Sequence, residues 1–463
     1  MSSILDSDSV ASLRAKLPGR VITPSDDGYD AARAVFYQSV DRRPAVIVRP
    51  VDAGEVSHIV SLARDTGSEL AIRSGGHSLA GHGVSDGGIV LDLSAMRSLE
   101  IDVNGRTAWA QTGLTAGMYT SAAGVHGLAT GFGDTASVGI GGLTLGGGVG
   151  FLVRKHGLTI DNLLAAEIVT ADGQLRYVDA DTEPELFWAI RGGGGNFGVA
   201  TRFRYRMFEL DTILGGLLVL PATPGVIASF VAEAEDAPEE LSAIANIMVA
   251  PPMPFLPAEA HGRLVVMALL CYSGDLEAGE RALAPFRTLA EPIADMVGPM
   301  PYPDIYGLFG EDPPGPAEEV ARSVFLDAID GGVAEAIVDH LHASSAPLTV
   351  AQLRVLGGAM ARVPADQTAF AHRDRRIMAA LGAVYERAEE TPQHEAWVTE
   401  FAAAIGKDAD VYVNFVGDEG RARVRGAYPG NTWDRLTGIK RRYDPANLFR
   451  LNQNIPPPGD ARR

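Results

Sequence analysis

Eleven of the twenty-seven residues from Gly124 to Gly150 are glycine. A glycine inside a helix or strand costs about 0.5–1 kcal/mol relative to alanine. Repetition on this scale is therefore not expected in a packed helix or strand, and points to backbone that something approaches closely. Two further clusters carry the same signal, "RSGGHSLAGHG" at 73–83 and "RGGGGNFG" at 191–198. What these loops approach decides what the chain does.

The 73–83 cluster admits three readings. "GHSLAG" nearly spells the Gly-x-Ser-x-Gly elbow that presents a serine nucleophile. That elbow needs a strand, a sharp turn and a helix. After Ser78 comes "LAGHGVSDGG", with no helical stripe, and Ala80 stands where the second elbow glycine belongs. His77 and His82 could ligate a metal, but they lie five apart in a loop and no His-Glu-x-x-His occurs in the chain, so no metal is expected. The third reading is a phosphate cradle, in which successive small residues let backbone N–H groups converge on an anion. Gly193-x-Gly195-x-x-Gly198 formally matches a dinucleotide fingerprint, but it follows a helix-like "PELFWAI" and precedes an alternating "VATRFRYRM". A Rossmann fingerprint leaves a strand and opens a helix. The expectation is a dinucleotide bound by several glycine loops in a different fold.

The bulk properties narrow the partners. At 463 residues the chain exceeds what one core usually holds, so two domains are expected. A net charge of −19 opposes binding to phosphate backbones, and no nucleic-acid partner is expected. No apolar stretch is long enough to span a bilayer, so no membrane partner is expected. "MSSILDSDSVASLRAKL" lacks the pattern of a secretion signal, which suggests a cytoplasmic protein. The single cysteine, Cys271, excludes an internal disulfide, and its apolar neighbours suggest a buried, inert thiol.

The first two hundred residues alternate short strands and helices. "AVIVRP", "ELAIRS" and "GGIVLDLS" read as strands, and Val56, Ile59, Val60 and Ala63 make one apolar helical face. Hairpins are expected at Asn104-Gly105 and Asp172-Gly173. From about residue 208 longer strand candidates ("LSAIANIMVAP", "RLVVMALLCYSG", "VAQLRVLGGAMARV", "DVYVNFVGD") alternate with helices such as "GGVAEAIVDHLHAS", suggesting a sheet covered by helices. A basic helix, a Tyr-Asp-Pro stop and an Asn/Gln-rich tail close the sequence. The fold class is α+β.

The ordered set of motifs resembles the berberine-bridge-enzyme-like branch of the vanillyl-alcohol-oxidase and p-cresol-methylhydroxylase flavoproteins. The segments that carry the likeness are "RSGGHS" at 73–78, the stretch 131–173, "LFWAIRGGGGNFGVAT" at 186–201, "YVNFVGDEG" at 412–420 and the stretch 428–457. The resemblance implies a two-domain flavoprotein with a p-cresol-methylhydroxylase-type FAD-binding domain formed by residues 1–207 and 418–463. An antiparallel-sheet substrate-binding domain, 208–417, is inserted between them. It implies FAD attached covalently through His77, with Arg73, Ser74, Gly75 and Gly76 around the pyrophosphate and Ser78 beside them. Gly139, Gly141 and Gly142 would let a second loop reach the flavin. Val199 would lie by the adenine end, and Asn452 and Asn454 by the isoalloxazine. Many relatives attach FAD a second time through a cysteine. That position here is Thr135, so a single link is expected.

The implied activity is oxidation of a C–H bond beside a hydroxyl or amine of a small substrate. Such chemistry needs the carbon over the flavin, a polar partner for its heteroatom, and exclusion of water. On an alternating strand Tyr412 and Asn414 share a face. By the resemblance Tyr412 is the base or the substrate's hydroxyl partner, and Asn414 a flavin or substrate contact. His372 is a second candidate, and Asp134 a wall residue or an ordinary loop residue. By the same resemblance Val138 would stand where relatives carry a side chain over the flavin's oxygen-reactive carbon, which leans toward an oxidase using molecular oxygen and forming hydrogen peroxide. An FAD-dependent dehydrogenase or a carbohydrate or lactone oxidase of the same fold is the alternative.

Overall fold

A computed structural model describes residues 6–308, 315, 317–406 and 410–459. It shows a two-domain α+β protein whose described residues form three main sheets. In the first, strands Val46–Val48, Ile89–Asp92 and Leu70–Arg73 run parallel, with Val21–Ile22 antiparallel at one edge. Helix Ala53–Thr66 makes the crossover. Asp52 caps its start by accepting from the Glu55 amide, and Gly67 ends it in the left-handed region at φ 67°. Val56, Ile59, Val60 and Ala63 are all buried, as their spacing predicts. Full burial of each of the larger three stabilises by about 1.5–3 kcal/mol.

The second sheet is antiparallel, in the order Leu99–Asp102, Thr107–Gln111, Val199–Arg206, Leu163–Val169, Leu175–Asp179. Both expected hairpins are present. Gly173 turns the second at φ 80°, where a Cβ would lie 2.3 Å from Ser61 Oγ on the crossover helix. That close approach fixes the sheet against the helix.

The third sheet is antiparallel and built from 212–385. Its long strands follow the order Thr212–Pro221, Leu264–Tyr272, Leu241–Val249, Leu348–Val355, Ile377–Tyr385, Glu318–Leu326. Helices Pro224–Asp236, Leu276–Arg287, Gly331–Ala343 and Thr391–Ile405 bury their apolar stripes on one face of this sheet. Its opposite face meets the glycine-rich stretch through Phe151, Leu152, Val149 and Leu158. No described helix is long and apolar enough to cross a membrane.

Several expectations need correction. A seven-residue helix, Ile140–Gly146, does form inside the glycine-rich stretch; every position but Gly142 is buried, and Gly141 and Gly146 meet neighbours that leave no room for a side chain. "DVYVNFVGD" is not a strand: Val413–Phe415 is a single 3₁₀ turn closed by the Phe415 amide on the Tyr412 carbonyl. "VAQLRVLGGAMARV" is a strand only to Val355, after which Gly357 and Gly358, both at positive φ, turn the chain into helix Ala359–Arg362.

Candidate functional site

The strand ends and the glycine loops enclose a cavity of about 580 Å³, within the range of small-molecule and cofactor sites. Its wall is contributed by 72–83, 133–145, 194–200, 412–416 and 449–453, together with the exposed face of the third sheet.

The 73–83 loop leaves the first sheet and meets the glycine-rich loop backbone to backbone. A Cβ on Gly75 would lie 2.2 Å from the Gly139 amide nitrogen, and one on Gly139 the same distance from the Gly75 nitrogen. Ser74 Oγ donates to the Thr112 carbonyl at 2.5 Å and accepts from the Gly141 amide at 3.2 Å, pinning the two loops together. Gly142 faces open space, with nothing within 4 Å of where its Cβ would be. Arg73 borders the cavity, but its guanidinium is occupied elsewhere: it donates to Asp92 Oδ2 at 2.9 Å and to the Ala32 and Ala34 carbonyls. Burial alone would raise the Asp92 carboxyl, yet Arg73 and Arg49 hold it below the ordinary value. Arg73 thus anchors the loop's entry, and the backbone that follows forms the cradle.

His77 points into the cavity. Its Nε2 lies 3.0 Å from Ser137 Oγ, and its ring stacks on Phe36 at 4.2 Å between centroids and 23° between planes. Ser78 closes a tight turn, its carbonyl accepting from the Gly81 amide, and no helix follows it. The geometry of a nucleophile elbow is absent there. His82 also borders the cavity, and burial pushes its imidazole down to about 4. Among the described residues no group of three or more His, Cys, Asp or Glu could hold a metal ion.

Thr135, Val138 and Val199 line the cavity as well. Asp134 is part of the wall, its carboxylate accepting from Arg354 Nη2 at 2.7 Å. From the tail, Asn452 lines the cavity with a buried Oδ1 that has no partner among the described residues. Asn454, whose Oδ1 is likewise buried and unpartnered, is not part of the wall. Buried polar atoms are rarely left unpaired, so Asn452 Oδ1 awaits a donor from whatever fills the space.

Tyr412 and Asn414 do come together, through the turn rather than a strand. Asn414 Nδ2 donates to Tyr412 Oη at 2.9 Å and to the Leu143 carbonyl at 3.0 Å, while the Gly148 amide donates to Tyr412 Oη at 2.8 Å. Gly146 makes this possible, since its Cβ would lie 1.9 Å from Asn414 Oδ1. Burial pushes the Tyr412 phenol up to about 12, against the opposing effect of those two donors. The phenol is therefore neutral, with both lone pairs engaged and one proton to give. His372 is placed elsewhere. It is 3% exposed, packs on Phe325, has Nε2 3.1 Å from the Gly426 carbonyl, and is not in the cavity wall. Burial lowers its pKa. Aromatic packing and a backbone carbonyl account for it, and it is not a site residue.

Residues 44–179 match the family model described as an FAD binding domain, and residues 411–456 the one described as berberine and berberine like. The (R)-6-hydroxynicotine oxidase of Paenarthrobacter nicotinovorans is 33% identical over 455 residues, covering 96% of this chain and 98% of that protein. The chain belongs to the berberine-bridge-enzyme-like FAD-linked oxidoreductases. The xylooligosaccharide oxidase of Thermothelomyces thermophilus is 27% identical over 455 residues, 91% of this chain and 89% of its own length. The crystal structure of 6-hydroxy-D-nicotine oxidase from Arthrobacter nicotinovorans superposes with a TM-score of 0.84 at 30% identity, covering 95% and 98% of the two chains. This oxidoreductase therefore takes FAD as its cofactor, and the cavity fits it. Gly142 offers the cavity bare backbone with nothing within 4 Å of its would-be Cβ, and the Asn452 oxygen is left for a ligand donor.

Phe36, Tyr37, Glu319, Gln352 and Arg354 also border the cavity without having been singled out in the sequence. The alternation of "LTVAQLRV" places Gln352 and Arg354 on one face and was the available signal for them. Nothing local marks Phe36, Tyr37 or Glu319.

Proposed function

We propose that this protein is an oxidase that removes a hydride from a carbon bearing a hydroxyl or amine of a small organic substrate, with FAD held covalently through His77 alone and molecular oxygen as acceptor. Bound FAD supplies a two-electron acceptor, whose reoxidation by oxygen forms hydrogen peroxide. The observation that carries the reading is that His77 and the Tyr412–Asn414 pair share one cavity closed by the Gly75–Gly139 contact.

Ser137 and Phe36 hold the His77 ring in one orientation, which favours attachment at a fixed position. Thr135 has a hydroxyl where many relatives carry a second attachment, and no thioether can form there. Asn414 and the Gly148 amide orient the Tyr412 hydroxyl, whose remaining proton binds the lone pair of the substrate's heteroatom. Tyr412 thus acts as the substrate's hydrogen-bond partner rather than as a resting base, since a phenol near 12 stays protonated. Val138 leaves room for oxygen. Residues 208–417 serve as the substrate-binding unit.

The test is to precipitate the purified protein with acid. Yellow colour should pellet with the polypeptide and be released to the supernatant in His77→Ala. Colour in the supernatant of the native protein would remove the covalent assignment, and a colourless native protein the whole reading. Anaerobically reduced enzyme should reoxidise in air and yield peroxide. Reoxidation with dyes but not air would make it a dehydrogenase.

A further inference from the structure

The cavity wall carries a carboxyl that this reading leaves without a task. Glu319, Ala321 and Ser323 alternate along strand Glu318–Leu326 and border the cavity. Across from Ala321 and Ser323 the neighbouring strand offers only Gly382 and Ala380, and Val350 and Gln352 follow on the next. The sheet between Glu319 and Gln352 is therefore a trough floored by small residues. A Cβ on Gly382 would lie 3.9 Å from Glu319 Oε1, so the carboxyl stands at the edge of this trough.

The other charges of the wall are matched. Arg354 pairs with Asp134 at 2.7 Å and also donates to Gln352 Oε1 at 2.6 Å. Arg322 lies 3.5 Å from Glu419, and Arg73 2.9 Å from Asp92. Glu319 has no hydrogen-bond or ion-pair partner among the described residues. Its half-buried carboxyl is raised to about 7 by burial alone. The nearby Tyr37 phenol is pushed up by its own burial and further by the Glu319 charge. An isolated carboxylate in such a wall is costly, and a cation brought against it removes that cost. A neutral ligand does not, and an anion adds to it.

We propose that Glu319 is a specificity-determining residue that anchors a cationic nitrogen, a protonated amine of the substrate, over the trough floored by Ala321, Gly382 and Ala380. This deepens the oxidase reading and rests on it: the nitrogen is a recognition group that selects amine-bearing substrates from neutral alcohols and from acids.

The experiment compares benzylammonium, benzyl alcohol and benzoate as probes on the native holoenzyme and on Glu319→Gln, by equilibrium dialysis without oxygen. Native enzyme is expected to bind benzylammonium at least about tenfold tighter than benzyl alcohol, with benzoate weakest. In Glu319→Gln the preference falls to within about threefold at unchanged flavin content. A protonated-carboxyl infrared band present near neutral pH should disappear as benzylammonium saturates the native enzyme. Equal binding of ammonium and alcohol, no binding of the ammonium, a preference that survives in Glu319→Gln, or an unmoved band each overturn the proposal. Should Glu319→Gln not fold, the infrared titration of the native holoenzyme decides alone. Flavin content is read from absorbance before any probe is added. A native protein without flavin overturns the oxidase reading, whereas a yellow protein without the preference overturns only the role of Glu319.

Discussion

A methyl group added at Gly75 would collide with the backbone of Gly139, and neither partner has a flexible end that could yield. Gly75→Ala is expected to part the two loops, so that the protein folds but purifies with less than about a tenth of the native flavin, read as the ratio of visible to ultraviolet absorbance. Tyr412 gives a contrasting case, because Tyr412→Phe keeps the ring and removes only the hydroxyl, which is both the proton donor and the acceptor of the Gly148 amide and Asn414. Flavin content should stay native while the rate of flavin reduction by substrate falls about 10²-fold in stopped flow. Glu319 leaves a signature in stability. The folded chain holds its proton up to about 7, whereas an ordinary glutamate releases it near 4.5. Across that window the folded state binds more protons, so stability falls as pH rises through it. Melting temperatures at about pH 5 and about pH 7.5 should therefore show Glu319→Gln gaining on the native protein at the higher pH. An equal difference at both would contradict the assignment. At this scale the legible residues were those whose signal is local, such as His77 and the glycines, each set by its neighbours in one loop. Glu319 and Phe36 acquire their roles from chain outside their own local segments, and His372 drew attention as a titratable group while its surroundings proved to be Phe325 and a carbonyl.

The helix Thr432–Tyr443 is held by more than its apolar face. Lys440, fully buried, donates to Asp444 Oδ2 at 2.7 Å, to the Asn196 carbonyl at 2.7 Å and to the Phe449 carbonyl at 2.9 Å. Asp444 in turn accepts from the Leu448 and Phe449 amides. One ammonium thus ties the helix to the 194–196 turn and to the tail. Removing one partner of a buried pair leaves the other charge uncompensated, so Lys440→Met should cost about 3–5 kcal/mol in denaturant unfolding. The elements that the sequence disclosed are those with their own period or punctuation: the crossover helix between Asp52 and Gly67, and the hairpins near Gly105 and Gly173. Alternation misled at "DVYVNFVGD", because an apolar period of two describes any extended segment with one buried side, whether or not a partner strand exists. Strands Thr212–Pro221, Glu318–Leu326 and Ile377–Tyr385 escaped notice for the opposite reason. Gly215 and Gly216 interrupt the first, and alanine and glutamate give the others a composition that does not favour strands.

Across the whole molecule the third sheet forms the scaffold against which the glycine-rich stretch is pressed. Cys271 lies inside its strand Leu264–Tyr272, wholly buried, and burial pushes its thiol up to about 12. A thiol reagent should label no cysteine in the native protein and one after denaturation, and labelling during slow unfolding should follow the loss of the sheet. Labelling of the native protein would show the sheet to be open. The α+β class and the order of segments followed from composition and motif order, whereas the contacts that close the cavity join parts of the chain too distant for any local pattern to announce.

The cavity draws on residues 72–83 and on residues 449–453, and Asn196 takes a hydrogen bond from Lys440 and gives one to the Gln453 carbonyl. During synthesis the first glycine loops leave the ribosome several hundred residues before the segment that closes over them. Nascent chains stalled ahead of residue 412 lack both Tyr412 and the tail, so the wall is complete only after these last segments have emerged. Chains stalled ahead of residue 412 and assayed for flavin are therefore expected to carry none, while chains released at full length carry it.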